Sequence, residues 1–143
     1  MRLILSSSIV LAAVIARPSG PIGAQHAVAT GLLAGVYTEE QAGRGEALYG
    51  TYCISCHGQD LNGGDTAPAL VGGDFIRNWK TLGQLFGYMK TSMPLDSPDS
   101  LTERQTVDIL AFILKKSDFP AGQSALTPQI EVLNTIIFVG TQP

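Results

Sequence analysis

The run Tyr52-Cys53-Ile54-Ser55-Cys56-His57-Gly58 constrains the fold of this 143-residue chain more than any other stretch. Cys53, Cys56 and His57 form a Cys-x-x-Cys-His sequence, and the chain has no other cysteine. Two thiols three residues apart can each reach one vinyl group along the same edge of a porphyrin and form thioethers. The next residue, His57, is then held beneath the ring with an imidazole nitrogen available to iron. The run therefore reads as a covalent attachment site for a c-type haem. Two other chemistries use similar spacings. A thioredoxin-like redox pair wants a preceding strand in a βαβ pattern. A structural zinc site wants two more Cys or His ligands at short spacing, and only the isolated His26 remains.

Length allows one domain and not two comfortable ones. A hydrophobic content of 45% with 15% charged residues fits a globular protein with a real core. Met1–Ala16 carries Arg2 and an apolar run, Leu3–Ile15, too short to span a bilayer comfortably, and small residues follow at Ala16, Gly23 and Ala24. Residues 1–24 are expected to be a secretory signal peptide cleaved after Ala24, with a retained membrane anchor as the alternative. The expected location is periplasmic or otherwise exported. Export suits the cysteines too, since a disulfide across so tight a loop would constrain almost nothing, whereas thioethers give the pair a purpose. The formal charge is −3, and losing Arg2 and Arg17 with the leader leaves 7 basic against 12 acidic side chains. That acidity argues against nucleic acid or anionic lipid as a partner.

Residues 25–37, small and rich in Ala and Gly, read as a loose arm in which His26 is solvated. Thr38-Glu39-Glu40-Gln41 then forms a capping box with two acids in the first turn, opening a helix to about Thr51 or Tyr52. Ala42, Gly45, Leu48, Tyr49 and Tyr52 make its stripe, and Gly45, unfavourable in a helix interior, suggests another helix crossing closely there. Gln59–Asp74, rich in Gly, Asp and Asn, reads as a long loop, which in a small domain is usually functional. A second capping box, Thr81-Leu82-Gly83-Gln84, opens a helix through about Lys90, with Leu82, Leu85, Phe86 and Met89 on its core stripe. Met93 follows in a loop fixed by Pro94, where its thioether is a plausible axial ligand for a haem iron. Thr102-Glu103-Arg104-Gln105 caps a third helix, ending near Lys116 with two lysines at its negative end. Beyond Gly122 a short helix within Gln129–Thr135 and an extended, unpaired Ile136–Val139 are expected.

Cys53-Ile54-Ser55-Cys56-His57, then Pro68-Ala69-Leu70, then Met93-Pro94 and a C-terminal helix occur in the order found in class I cytochromes c, which this chain resembles over about Thr38 to Lys116. The resemblance implies an all-α, cytochrome c-like helical domain wrapped around one covalently bound haem c. It puts that domain at 38–118, with a tail at 119–143 packed on it. It implies thioethers at Cys53 and Cys56, axial ligands His57 and Met93, and a Pro68 carbonyl that orients His57. It also implies that Gly45 and Tyr49 cross Phe112, and that Trp79 approaches a haem propionate. Gly58–Gly63, Gly72–Trp79 and Ile113–Gly122 more narrowly resemble cytochromes associated with quinoprotein (pyrroloquinoline quinone) alcohol dehydrogenases. The function implied is one-electron transport, from a dehydrogenase donor such as a quinoprotein alcohol dehydrogenase to a downstream cytochrome or oxidase. With both axial positions filled the iron has no site for substrate, so the expectation is a carrier and not an enzyme. The alternative is a haem enzyme or gas-sensing domain with a displaceable Met ligand.

Overall fold

A computed structural model describes residues 30–138, so the expected signal peptide, residues 25–29 and residues 139–143 lie outside the described region. The fold is mostly helical. In chain order it comprises β1 (Thr30–Gly31), a 3-10 turn (Leu32–Ala34), α1 (Glu39–Tyr52), α2 (Ile54–His57), α3 (Gly72–Arg77), α4 (Leu82–Ser92), α5 (Glu103–Lys116), α6 (Ile130–Leu133) and β2 (Ile136–Ile137). Among the described residues no helix is long and apolar enough to cross a membrane.

The helix starts follow from local chemistry. Thr38, Thr81 and Thr102 each accept a hydrogen bond at the side-chain oxygen from the backbone N–H three residues on. Only Thr102 completes the reciprocal box, its own N–H donating to Gln105 Oε1 at 2.8 Å. The two partial boxes have lost their last residue to other partners. Gln84 accepts from Lys80 N–H. Gln41, buried, instead clasps the backbone of Leu126, donating to its carbonyl at 2.9 Å and accepting from its N–H at 2.7 Å.

α1 and α5 cross at Gly45, where a methyl group would fall 1.8 Å from the Asp108 carbonyl oxygen. Only glycine allows this approach. One turn on, Tyr49 packs on Phe112 with ring centroids 5.3 Å apart, the crossing that the family resemblance implied. Arg44 then forks onto the nearly buried Asp108 carboxylate at 2.9 and 3.1 Å, so the one acid inside the crossing is paired. Every residue of α5 from Thr106 to Leu114 is buried.

The structure corrects several sequence expectations. Residues 30–37 are not a loose arm: Leu32 and Tyr37 are fully buried, and the Tyr37 hydroxyl donates to the Phe119 carbonyl at 2.6 Å. Ile136 and Ile137 are not part of an unpaired extension, because β2 runs parallel to β1, pairing Thr30 with Ile136 and Gly31 with Ile137; Val139 lies outside the described residues. Strands of two residues leave no periodic signal, and this pair joins segments more than a hundred residues apart. The loop assigned to 59–74 ends early, since α3 begins at Gly72 and is driven by burial of Phe75 and Ile76. α4 runs to Ser92, two residues past expectation, and stops where Met93, preceding a proline, turns extended. The tail itself is packed: Phe119, Leu126, Leu133, Ile136 and Phe138 are buried.

Candidate haem-binding site

The Cys-x-x-Cys-His run folds as one helical turn. Cys53 is the N-cap of α2, the N–H groups of Cys56 and His57 both donate to its carbonyl, and Gly58, at φ +76°, ends the turn. That geometry puts Cys53, Cys56 and His57 along one short wall. Cys53 is half-buried, and burial, helped by the neighbouring Cys56, pushes its thiol up to about 11. Cys56 is exposed.

His57 is 8% exposed and its ring is fixed from one side. Its Nδ1 lies 2.9 Å from the Pro68 carbonyl oxygen, and as the N–H tautomer it donates there, leaving Nε2 for a ligand-binding role. Pro68 is delivered by a tightly folded loop: Leu61 is buried, the Leu70 N–H donates to the Leu61 carbonyl, and Gly64 N–H donates to Ala67. Gly63 makes that fold feasible. It sits at φ +71°, and a methyl group on it would meet the Ala67 carbonyl at 2.5 Å. Its N–H also donates to the His57 carbonyl at 2.9 Å. On the other side, the buried Tyr49 hydroxyl donates to the Gly58 carbonyl at 2.6 Å, tying α1 to the residue after His57. Neither Gly63 nor the Tyr49 hydroxyl stood out in the sequence; the glycine-rich run after His57 was the only signal.

These residues border a cavity of about 730 Å³. Cys53, Cys56, His57, Pro68 and Met93 all line it, so the five residues singled out in the sequence come together. Phe75, Leu85, Ile109 and Ile113 supply apolar wall. Met93 is half-buried at the end of α4, its N–H bonded to the Met89 carbonyl, and its peptide bond to Pro94 is cis. Met89 is buried on its helix as expected, yet the same stripe faces the cavity and Met89 lines it as well. Among the described residues no cluster of three or more His, Cys, Asp or Glu could hold a metal ion on protein ligands alone, and His26 lies outside them.

A haem fits this site on two counts. Its wall is mostly apolar with both thiols and the imidazole on one side. Trp79, also lining the cavity, has a buried indole Nε1 without a hydrogen-bond partner in the protein, flanked by Phe75 and Tyr88 at ring separations of 6.4 and 5.5 Å. A buried donor without an acceptor is unfavourable by about 1–3 kcal/mol, and a haem propionate is an acceptor of the right chemistry.

Comparison with known proteins agrees. Over 106 residues the chain is 31% identical to the thiosulfate dehydrogenase of Allochromatium vinosum, a match covering 68% of this chain and 38% of that protein. The chain therefore spans well under half the length of that relative. Its structure resembles that of the sulfane dehydrogenase SoxCD from Paracoccus pantotrophus, with a TM-score of 0.56 and 26% identity over 86% of this chain and 66% of the other. The family model described as cytochrome c oxidase, cbb3-type, subunit III matches residues 40–113, just over half of the chain, from the first turn of α1 to Ile113 in α5. On that match the chain belongs to this cytochrome c family and carries a covalently bound haem c.

Proposed function

We propose that the protein is an exported one-electron carrier, accepting electrons from a dehydrogenase and passing them to a downstream cytochrome or oxidase. The observation that carries this reading is the single cavity bordered at once by Cys53, Cys56, His57 and Met93. In this reading Cys53 and Cys56 hold the haem through thioethers, His57 Nε2 and the Met93 sulfur are its axial ligands, and Pro68 fixes the His57 tautomer. The bound haem supplies a ferric/ferrous couple. The chain does the rest. Its apolar wall and a thioether ligand both disfavour the extra positive charge of ferric iron, which raises the reduction potential. Two protein ligands leave no coordination position for a substrate, so the transfer is outer-sphere.

Both similar proteins are dehydrogenases by name, of thiosulfate and of sulfane sulfur, which supports a donor acting on sulfur compounds over the alcohol dehydrogenases suggested by the narrower sequence likeness. The test is an absorption spectrum of the exported protein, oxidised and reduced, before and after carbon monoxide. A low-spin spectrum unmoved by carbon monoxide is expected. A reduced spectrum that carbon monoxide alters at neutral pH would point to a haem enzyme or gas-sensing domain with a displaceable Met93. The donor is then assigned by mixing the ferric protein with a thiosulfate-oxidising or an alcohol-oxidising dehydrogenase and its substrate, and reading which one reduces it.

A further inference from the structure

Seven large apolar side chains are left exposed among the described residues, and four of them gather at the cavity: Tyr52, Tyr88 and Leu95 line it and Ile54 lies within the attachment turn, while Leu33, Ile130 and Val132 lie elsewhere. Leu95 is 77% exposed, the most of any large apolar residue described. It is held out by a turn in which the Ser97 N–H donates to the Pro94 carbonyl at 3.0 Å. Such a display is unfavourable for an isolated protein and characteristic of a contact surface.

The two loops beside it carry charges of one sign, although Arg77 and Lys80 flank the lining residues Asn78 and Trp79. The two loops that frame the cavity, residues 58–71 and 93–101, carry Asp60, Asp65, Asp96 and Asp99 and no lysine or arginine. Asp96 lines the cavity itself. Lys90, at the end of α4, turns its ammonium onto the carboxylate and carbonyl of Asp99 and offsets that charge, so Asp60, Asp65 and Asp96 set the sign of these loops. An acidic rim around an apolar mouth favours an approaching surface that is apolar at its centre and basic at its edge, and raises its encounter rate.

We infer that this mouth is the docking face for a redox protein whose own contact surface is apolar and ringed by lysine and arginine. The inference rests on the electron-carrier reading and adds the partner's chemistry. In each test reaction the ferrous protein gives one electron to a one-electron oxidant, which is reduced by one unit. The probes are tris(phenanthroline)cobalt(III), an apolar trication reduced to cobalt(II), and hexacyanoferrate(III), a trianion reduced to hexacyanoferrate(II).

At low salt Asp96→Lys is expected to slow the cobalt oxidant about tenfold and to speed the hexacyanoferrate. Glu131→Lys makes the same change of charge on α6, none of whose residues lines the cavity, and is expected to change either rate by about twofold or less. Leu95→Gln should slow the cobalt oxidant without altering its salt dependence. A readout independent of electron transfer is the broadening of NMR signals by the inert paramagnetic cation hexaamminechromium(III), expected at residues 58–71 and 93–101. Equal effects of Asp96→Lys and Glu131→Lys, or broadening centred elsewhere, would overturn the docking face and leave the carrier intact. Failure of the ferrous protein to reduce either oxidant would sink the carrier reading, and this inference with it.

Discussion

Alanine at Gly45 and alanine at Gly43 are the same change in the same helix, and they should have opposite effects. Gly43 is exposed and a methyl group there meets nothing within 4 Å, so Gly43→Ala gains helix propensity alone, up to about 1 kcal/mol. At Gly45 the added carbon would lie 1.8 Å from the Asp108 carbonyl oxygen and 2.9 Å from Phe112 Cβ. Both belong to a neighbouring helix and cannot swing away, so α1 and α5 must separate by more than about 1 Å to reach ordinary contact. A gap of that size forfeits a quarter to a half of each dispersion contact along the crossing. It also disturbs the Tyr49–Phe112 ring pair, worth about 0.5–1.5 kcal/mol, and overpacking of this kind typically destabilises by about 1–3 kcal/mol or more. The propensity gain offsets only part. The expected difference between the two variants is about 2–4 kcal/mol, or about 8–16 °C in Tm at this domain size. Thermal and denaturant unfolding of the two holoproteins measures it. Equal stabilisation by both substitutions would refute the close crossing at Gly45.

Tyr49→Phe should weaken unfolding stability by about 1 kcal/mol through loss of its bond to the Gly58 carbonyl, with the low-spin haem spectrum retained. Burial, reinforced by the nearby Glu39 carboxylate, pushes the Tyr37 phenol up to about 12 from an ordinary value of 10, so the fold favours its neutral form. That contribution is complete below pH 10 and lost as pH climbs through about 12; Tyr37→Phe should flatten the fall in urea stability across that window. Truncation after Gly122 removes Leu126, Leu133, Ile136 and Phe138, each worth about 1.5–3 kcal/mol when buried, so stability should drop by several kcal/mol. None of these four lines the cavity, so the axial spectrum should survive in the cold, and its loss would mean the tail positions a ligand. Met89→Ala should lower stability by about 2–5 kcal/mol with axial ligation intact, whereas Met93→Ala should open the iron to carbon monoxide and abolish the long-wavelength ferric charge-transfer band. The reverse pattern would make Met89 the ligand.

What could be read from the sequence was chemistry confined to a few neighbouring residues. Cys53, Cys56 and His57 stand within five positions, and the structure sets them on one cavity wall; the three threonine caps lie within four residues of their partners. Gly45 was legible because a glycine is unfavourable in a helix interior unless something needs the space. The unread parts depend on partners far along the chain. Gln41 looked like the end of a capping box, and its amide instead holds Leu126, 85 residues away. Thr30–Gly31 and Ile136–Ile137 are each too short to show alternation, and each is a strand only because the other is there. α3 begins at a Gly-Gly pair that reads locally as a loop, and the burial of Phe75 and Ile76 overrides that reading.

The two kinds of information meet in α5. One of its faces, with Asp108 and Phe112, meets α1; another, with Ile109 and Ile113 one turn apart, borders the cavity. From Thr106 to Leu114 the helix is buried on all sides and so must be covered on all sides. Here polypeptide covers the first face, while the second shares its cavity with Leu85, Phe75 and the attachment turn. At about 24 cal/mol per Å³, a sealed void of about 730 Å³ would destabilise the fold by up to roughly 17 kcal/mol, more than the whole stability of a typical domain. Water admitted through the mouth lowers that bound without supplying apolar contacts to Ile109 and Ile113. In the proposed reading the apolar stripe of α5 and the two thiols are parts of one design: a haem plane would cover Ile109 and Ile113, and thioethers at Cys53 and Cys56 would keep it there.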